Sequence, residues 1–205
     1  MAADPSVSEV PWEAIQASLV RMARWPSPHK LSPWLPTSER RAAVAVLLWG
    51  NPSGARDLVL VQRGDGAPHH AGELAFPGGM VDPWDRDLPD TARRELWEEL
   101  GVREGLWEMG CLPDGVAKAR TRFTPVVLRW EDPHRRIEVG PEIARPIWVG
   151  LRWLLEAPWS TERLVHQGMA VDVPRLELPG LPVPLWGATA LVLHAWLQVL
   201  KGELR

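Results

Sequence analysis

The stretch that most constrains the fold runs from Phe76 to Val102 and reads FPGGMVDPWDRDLPDTARRELWEELGV. A proline followed by two glycines is a turn at which backbone can approach another group closely, because no side chain stands in the way. Asp90 and Thr91 are helix-capping residue types and Gly101 is a natural stop, so a helix is predicted over Asp90–Leu100. On that helix Glu95, Glu98 and Glu99 stand at i, i+3 and i+4 and share one face. Like charges at these spacings repel by about a few tenths of a kcal/mol per pair. The cations Arg93 and Arg94 lie towards the helix start, which the helix dipole disfavours. A solvated acidic face is one reading. The other is a site for Mg²⁺ or Mn²⁺, hard cations that take oxygen ligands and would relieve the repulsion.

Around this stretch the chain alternates apolar runs with turn residues. Pro11–Arg24 has helical spacing with proline suited to a first turn. AAVAVLLW (Ala42–Trp49) reads as a buried strand, and DLVLVQR (Asp57–Arg63) returns after NPSGA as the second strand of a hairpin. Further strands are predicted in GLWEMGCL, in Phe123–Trp130 and in Arg145–Leu151, with a helical turn at LRWLLEA and a terminal helix from Gly187 onward. Strands and helices mix without strict alternation, which predicts an α+β chain, an αβα sandwich with a mixed β-sheet. A helix and proline-rich lead-in occupy residues 1–40, and one domain occupies 41–205.

Composition removes several function classes. A net charge of −3 gives no basic surface for a nucleic acid, so anionic substrates must be attracted locally. One cysteine, Cys111, excludes an intramolecular disulfide and a cysteine-based zinc site. No apolar run approaches the roughly 20 residues that span a bilayer. No signal-peptide pattern opens the sequence, and a cytoplasmic location without a membrane partner is expected.

Gly79, Asp85 and RELWEELGV (Arg94–Val102) together resemble the Nudix box, the signature of hydrolases acting on nucleoside diphosphates linked to another moiety. Two departures, Asp at the acid position and eight residues between it and Arg94, occur together in the coenzyme A pyrophosphatase-like branch. The resemblance to that branch extends to Arg63, His70, Gly72 and Phe76–Gly79 upstream, and to GPEIARPIWVGL and LWGATALVL downstream. Where the branch has Thr, then Ser or Ala, and often a second arginine, this chain has Val61, Gly64 and Pro68.

The resemblance implies a Nudix-type sandwich and attack of water on a phosphorus of a pyrophosphate. It implies Glu95, Glu98, Glu99 and the Gly79 carbonyl as ligands of Mg²⁺ or Mn²⁺, with Arg94 holding Glu95 or Asp85 in place. By the same resemblance Glu95, Glu98, Arg94 and Glu142 are the expected catalytic set, Glu142 being the candidate for a base or additional ligand from outside the box. Arg63, His70, Phe76 and Gly78 are expected at the substrate. Glu73 and His69 are further candidates, and Arg120 and Arg122 are a basic cluster for the far end of a nucleotide. Trp186 is read as helix-docking core. The substrate expected first is CoA or acyl-CoA, cut to 3′,5′-ADP and 4′-phosphopantetheine or its acyl form. The altered upstream motif keeps ADP-ribose, NADH or a nucleoside triphosphate as an alternative, and a non-catalytic nucleotide-binding module is the reading from another class. Homodimers are common in the family.

Overall fold

The computed structural model describes residues 9–24, 40–64, 72–117, 121–132, 134, 136–166 and 169–204. Its elements are α1 (Trp12–Met22), β1 (Arg40–Asn51), β2 (Gly54–Arg63), β3 (Leu74–Ala75), β4 (Gly78–Met80), α2 (Leu88–Leu100), β5 (Leu106–Cys111), β6 (Gly115–Ala117) and β7 (Thr121–Trp130). There follow β8 (Ile143–Gly150), α3 (Leu151–Glu156), β9 (Ser160–His166), β10 (Met169–Arg175) and α4 (Gly187–Glu203).

β1 is the spine of an eight-stranded mixed sheet. It pairs antiparallel with β2 and β4 and parallel with β7, while β8 and β3 extend the sheet from β2 and β5 from β7. Its apolar run is nearly continuous because both faces are covered. Ala43, Ala45 and Leu47 face Ala92, Leu96 and Leu100 of α2, whereas Val46 and Leu48 face the side packed by α1, α3 and α4. The result is the expected αβα sandwich. Three of the many tryptophans, Trp49, Trp130 and Trp148, pack on one another at centroid distances of 6.2 and 5.9 Å in the α2-side core.

Local chemistry sets the start of α2 two residues before the expected Asp90. Asp87 is the cap, its carboxylate accepting the Asp90 N–H at 2.8 Å, and Pro89 fits the first turn where no amide partner is needed. Gly101 ends the helix in the left-handed conformation, φ 67°. The sequence reading assigned no strands to Ser160–Arg175, which forms the β9–β10 hairpin outside the main sheet.

Residues Glu9–Arg24 belong to the same core as the strands. Val10 and Ala55 exchange backbone hydrogen bonds of 2.9 and 2.8 Å. Ile15, Leu19 and Met22 pack in one apolar cluster with Leu193, Trp196, Leu197 and Leu200 of α4. The Trp196 indole N–H donates to buried Ser18 Oγ at 2.9 Å, and that hydroxyl donates to the Ile15 carbonyl at 2.6 Å. Ile15→Ala should therefore lower the unfolding free energy by roughly 2–5 kcal/mol within a single cooperative urea transition. A loss below about 1 kcal/mol, the usual range for surface changes, would show α1 to be an appendage.

Candidate active site

β4 brings the glycine pair against the acidic helix. Gly79 lies opposite Ala43 of β1, and its bare backbone touches the Glu95 carboxylate; a Cβ there would collide with it. The neighbouring Gly78 N–H donates to Glu99 Oε2 at 3.0 Å. Backbone and carboxylates thus meet where the Pro-Gly-Gly turn was expected to place them.

Arg94 organises the acids on the other side. Its Nε and Nη2 clasp Asp85 at 3.0 and 3.1 Å, and its Nη1 reaches Glu95 at 2.8 Å and Glu98 at 2.9 Å. A further bond goes from Nη2 to the Met80 carbonyl at 2.9 Å, tying β4 to the helix. Asp85 also accepts from the Asp82 N–H and the Thr91 hydroxyl. The Arg94 guanidinium is the main reason that the Asp85 carboxyl is held down at about 2. The same bonds raise Arg94 above its ordinary value.

The two inner glutamates shift in the direction opposite to Asp85. Glu99 is only 7% exposed, and burial pushes its carboxyl up to about 7, although the Gly78 N–H and the Arg63 charge pull it back. Burial also raises Glu95, against the pull of Arg94. Burial penalises the charged form, so both sites favour the arrival of positive charge.

Glu142 reaches this cluster from a distant part of the sequence. The segment before β8 lies against the end of α2, with the Glu138 N–H on the Leu100 carbonyl and the Gly140 N–H on the Glu99 carbonyl, both at 2.9 Å. Glu142 Oε2 sits 3.2 Å from Nη2 of Arg63, whose Nη1 is 3.9 Å from Glu99. Glu95, Glu98, Glu99, Gly140, Pro141 and Glu142 line one cavity of about 400 Å³. A second hollow of about 340 Å³ runs along β8 towards Leu178–Leu181, and its one ionisable side chain, Arg145, is engaged by Gln62.

The donor set suits a hard divalent cation: four carboxylates on one cavity, Glu99 buried and Glu95 largely so, with glycine backbone in contact. Among the described residues no three acidic, histidine or cysteine side chains yet converge on a common metal position. Glu95 and Glu98 rest on Arg94, and Glu99 rests on Gly78 and Arg63, so coordination requires these carboxylates to turn towards one point.

Other expected contacts fall elsewhere. Phe76 is 3% exposed in the apolar core on the face away from α2, so its ring packs there rather than meeting a substrate. The Gly78 N–H is taken by Glu99. Glu73 precedes β3 instead of lying on a strand, its carbonyl accepts the Arg63 N–H, and it does not line the cavity. Arg122 sits in β7, not in a loop, and pairs with Asp114 at 3.7 Å. His69, His70, Pro68 and Arg120 lie outside the described residues. Gly140 and Pro141 were not singled out from the sequence; GPE ahead of an apolar strand was their only signal.

The family model for the NUDIX domain matches residues 39–166, more than half of the chain, and the chain belongs to that family. Among its relatives is the peroxisomal coenzyme A diphosphatase ndx-8 of Caenorhabditis elegans, 30% identical over 81% of this chain and 71% of that protein. The uncharacterized Nudix hydrolase NudL of Pectobacterium atrosepticum is 38% identical over 43% of this chain, and the match spans less than half, 46%, of that relative. A MutT NUDIX hydrolase from Burkholderia pseudomallei is 22% identical, with a TM-score of 0.45 over 76% of this chain and 95% of its own. Among the described residues no helix is long and apolar enough to cross a membrane.

The raised Glu99 carboxyl has a measurable consequence in chelator. Its value moves from 4.5 to about 7 on folding, so the folded chain keeps a proton that the unfolded chain releases between those values. Stability conferred by this group is full below 4.5 and is lost as pH rises through 7, a fall of at most about 3 kcal/mol. Urea unfolding of Glu99→Gln should lack that fall, leaving the variant more stable than wild type at pH 8 and similar at pH 4.5. Parallel pH slopes for the two proteins would contradict the assignment.

Proposed function

We propose that this protein hydrolyses the pyrophosphate linkage of a nucleoside diphosphate derivative with Mg²⁺ or Mn²⁺, and that CoA or acyl-CoA is its substrate. The products are then 3′,5′-ADP and 4′-phosphopantetheine or its acyl form. The observation that carries the reading is the single cavity lined by Glu95, Glu98, Glu99 and Glu142, with Arg94 and Arg63 against its walls. Membership of the Nudix family supports the hydrolase class, and the nematode CoA diphosphatase supports the choice of substrate.

Glu95, Glu98 and Glu99, with the Gly79 carbonyl, would hold the metal. When bound, it neutralises charge on phosphate oxygens and makes a water more acidic. The residues of the chain supply the rest. Glu142 is half exposed at the cavity rim and outside the Arg94 cluster, which leaves its carboxylate to accept the proton of the attacking water. Water oxygen bonds to one phosphorus, the bridging oxygen leaves with the other phosphate, and the proton remains on Glu142. Arg63 trades its carboxylate partners for phosphate oxygens, a planar guanidinium being suited to them. Asp85 does no chemistry; it holds Arg94 in place so that Glu95 and Glu98 keep their spacing.

ADP-ribose, NADH or a nucleoside triphosphate is the second reading, supported by the departure of Val61, Gly64 and Pro68 from the upstream motif of the CoA-cleaving branch. Where the CoA-cleaving branch carries threonine, Val61 is fully buried in the α2-side core and offers no hydroxyl. Chromatography of the products from CoA, ADP-ribose, NADH and GTP separates these readings. CoA should be cleaved selectively, and Glu99→Gln should reduce kcat by roughly 10²-fold or more, as for loss of one key electrostatic group. Cleavage of ADP-ribose or NADH instead would keep the mechanism and discard CoA. No turnover of any, by folded protein with metal, would favour the nucleotide-binding module.

A further inference from the structure

We infer that Gly140 and Pro141 are positioning residues that hold Glu142 across the cavity by fastening its segment to the last turn of α2. The inference rests on the reading of Glu142 as the group that accepts the water proton. The Glu142 side chain is 52% exposed, so packing does not fix it; apart from its pair with Arg63 at 3.2 Å, its place is set by the backbone that carries it. Carbonyls in the last turn of a helix have no partner within it, and here the Leu100 and Glu99 carbonyls accept from Glu138 and Gly140. The residue whose carboxylate faces the cavity is therefore the residue on which the Glu142 segment is registered.

Three further features stiffen the arrangement. A Cβ on Gly140 would overlap the Glu98 carbonyl and stand 3.3 Å from Glu99 Cα, so a glycine is needed for so close an approach. Pro141 fixes φ of the one residue between that anchor and Glu142. Beyond it, the Ile143 N–H returns to the Gly140 carbonyl at 3.2 Å, and the Gly64 N–H holds the Glu142 carbonyl at 2.8 Å. Glu142 is thus tied at once to the acidic helix and to the end of the strand that bears Arg63.

The test joins amide exchange with a double-mutant cycle on the full chain. The Gly140 and Gly64 amides should exchange slowly in wild type; exchange as fast as an exposed loop amide overturns the inference. Pro141→Gly introduces no clash, so it loosens the segment without threatening the fold. With Mn²⁺ and the fastest-cleaved of CoA, ADP-ribose, NADH and GTP, it should lower kcat about tenfold with KM within about twofold. Glu142→Gln should lower kcat by roughly 10²-fold. The double variant should be no slower than Glu142→Gln alone, because the proline acts only through that carboxylate. An equal loss from Pro141→Gly in both backgrounds overturns the inference while leaving Glu142 its role. Wild-type kcat in Glu142→Gln, or no turnover of the four compounds by wild type, removes the underlying reading and the inference with it.

Discussion

Repulsion among carboxylates is the constraint on which the rest of the structure depends. Glu95, Glu98, Glu99 and Glu142 line one cavity, and two of them are largely buried, where both desolvation and like charge work against ionisation. Two guanidinium groups offset this from opposite sides. Arg94 spans Glu95 and Glu98 and is itself fixed by Asp85, while Arg63 lies between Glu99 and Glu142. Removing one of these cations would leave buried charge uncompensated, which costs far more than the pair contributes when intact.

The scaffold follows from that need. β1 must be buried on both faces so that α2 can lie flat on one of them, and β4 must pair with β1 to bring Gly79 under Glu95. On the opposite face α1 and α4 share the Ser18–Trp196 hydrogen bond and close the second half of the core. The acidic cluster therefore stands on a helix packed against the sheet and not on loops, apart from Glu142. That exception is made stiff by backbone hydrogen bonds to the end of α2.

Much of this was legible locally. The spacing of Glu95, Glu98 and Glu99 is a property of one helix, and the close approach of Gly79 follows from glycine and the turn before it. The apolar runs of β1 and β2 announced strands because burial leaves few polar positions in them. What failed depended on facts outside the local pattern. Phe76 stands beside the glycine turn, yet it shares the apolar cluster of Leu74 and points into the core. The β9–β10 hairpin forms its own two-stranded sheet, and its sequences interleave charged residues, such as the paired Arg163 and Asp172, with apolar ones, so no continuous apolar run marks it. Nothing near Gly140 in sequence says that the end of α2 will lie against it, and only the folded chain brings the two together.

The most direct measurement of the central claim is Mn²⁺ binding, followed by the loss of the free-ion electron paramagnetic resonance signal, in wild type, Glu95→Gln and Glu99→Gln. Wild type should bind, and each substitution should weaken binding by about tenfold or more, since each removes a charged oxygen donor from the cavity. Equal Mn²⁺ affinity in all three proteins would contradict the claim that the acidic face of α2 is a metal site.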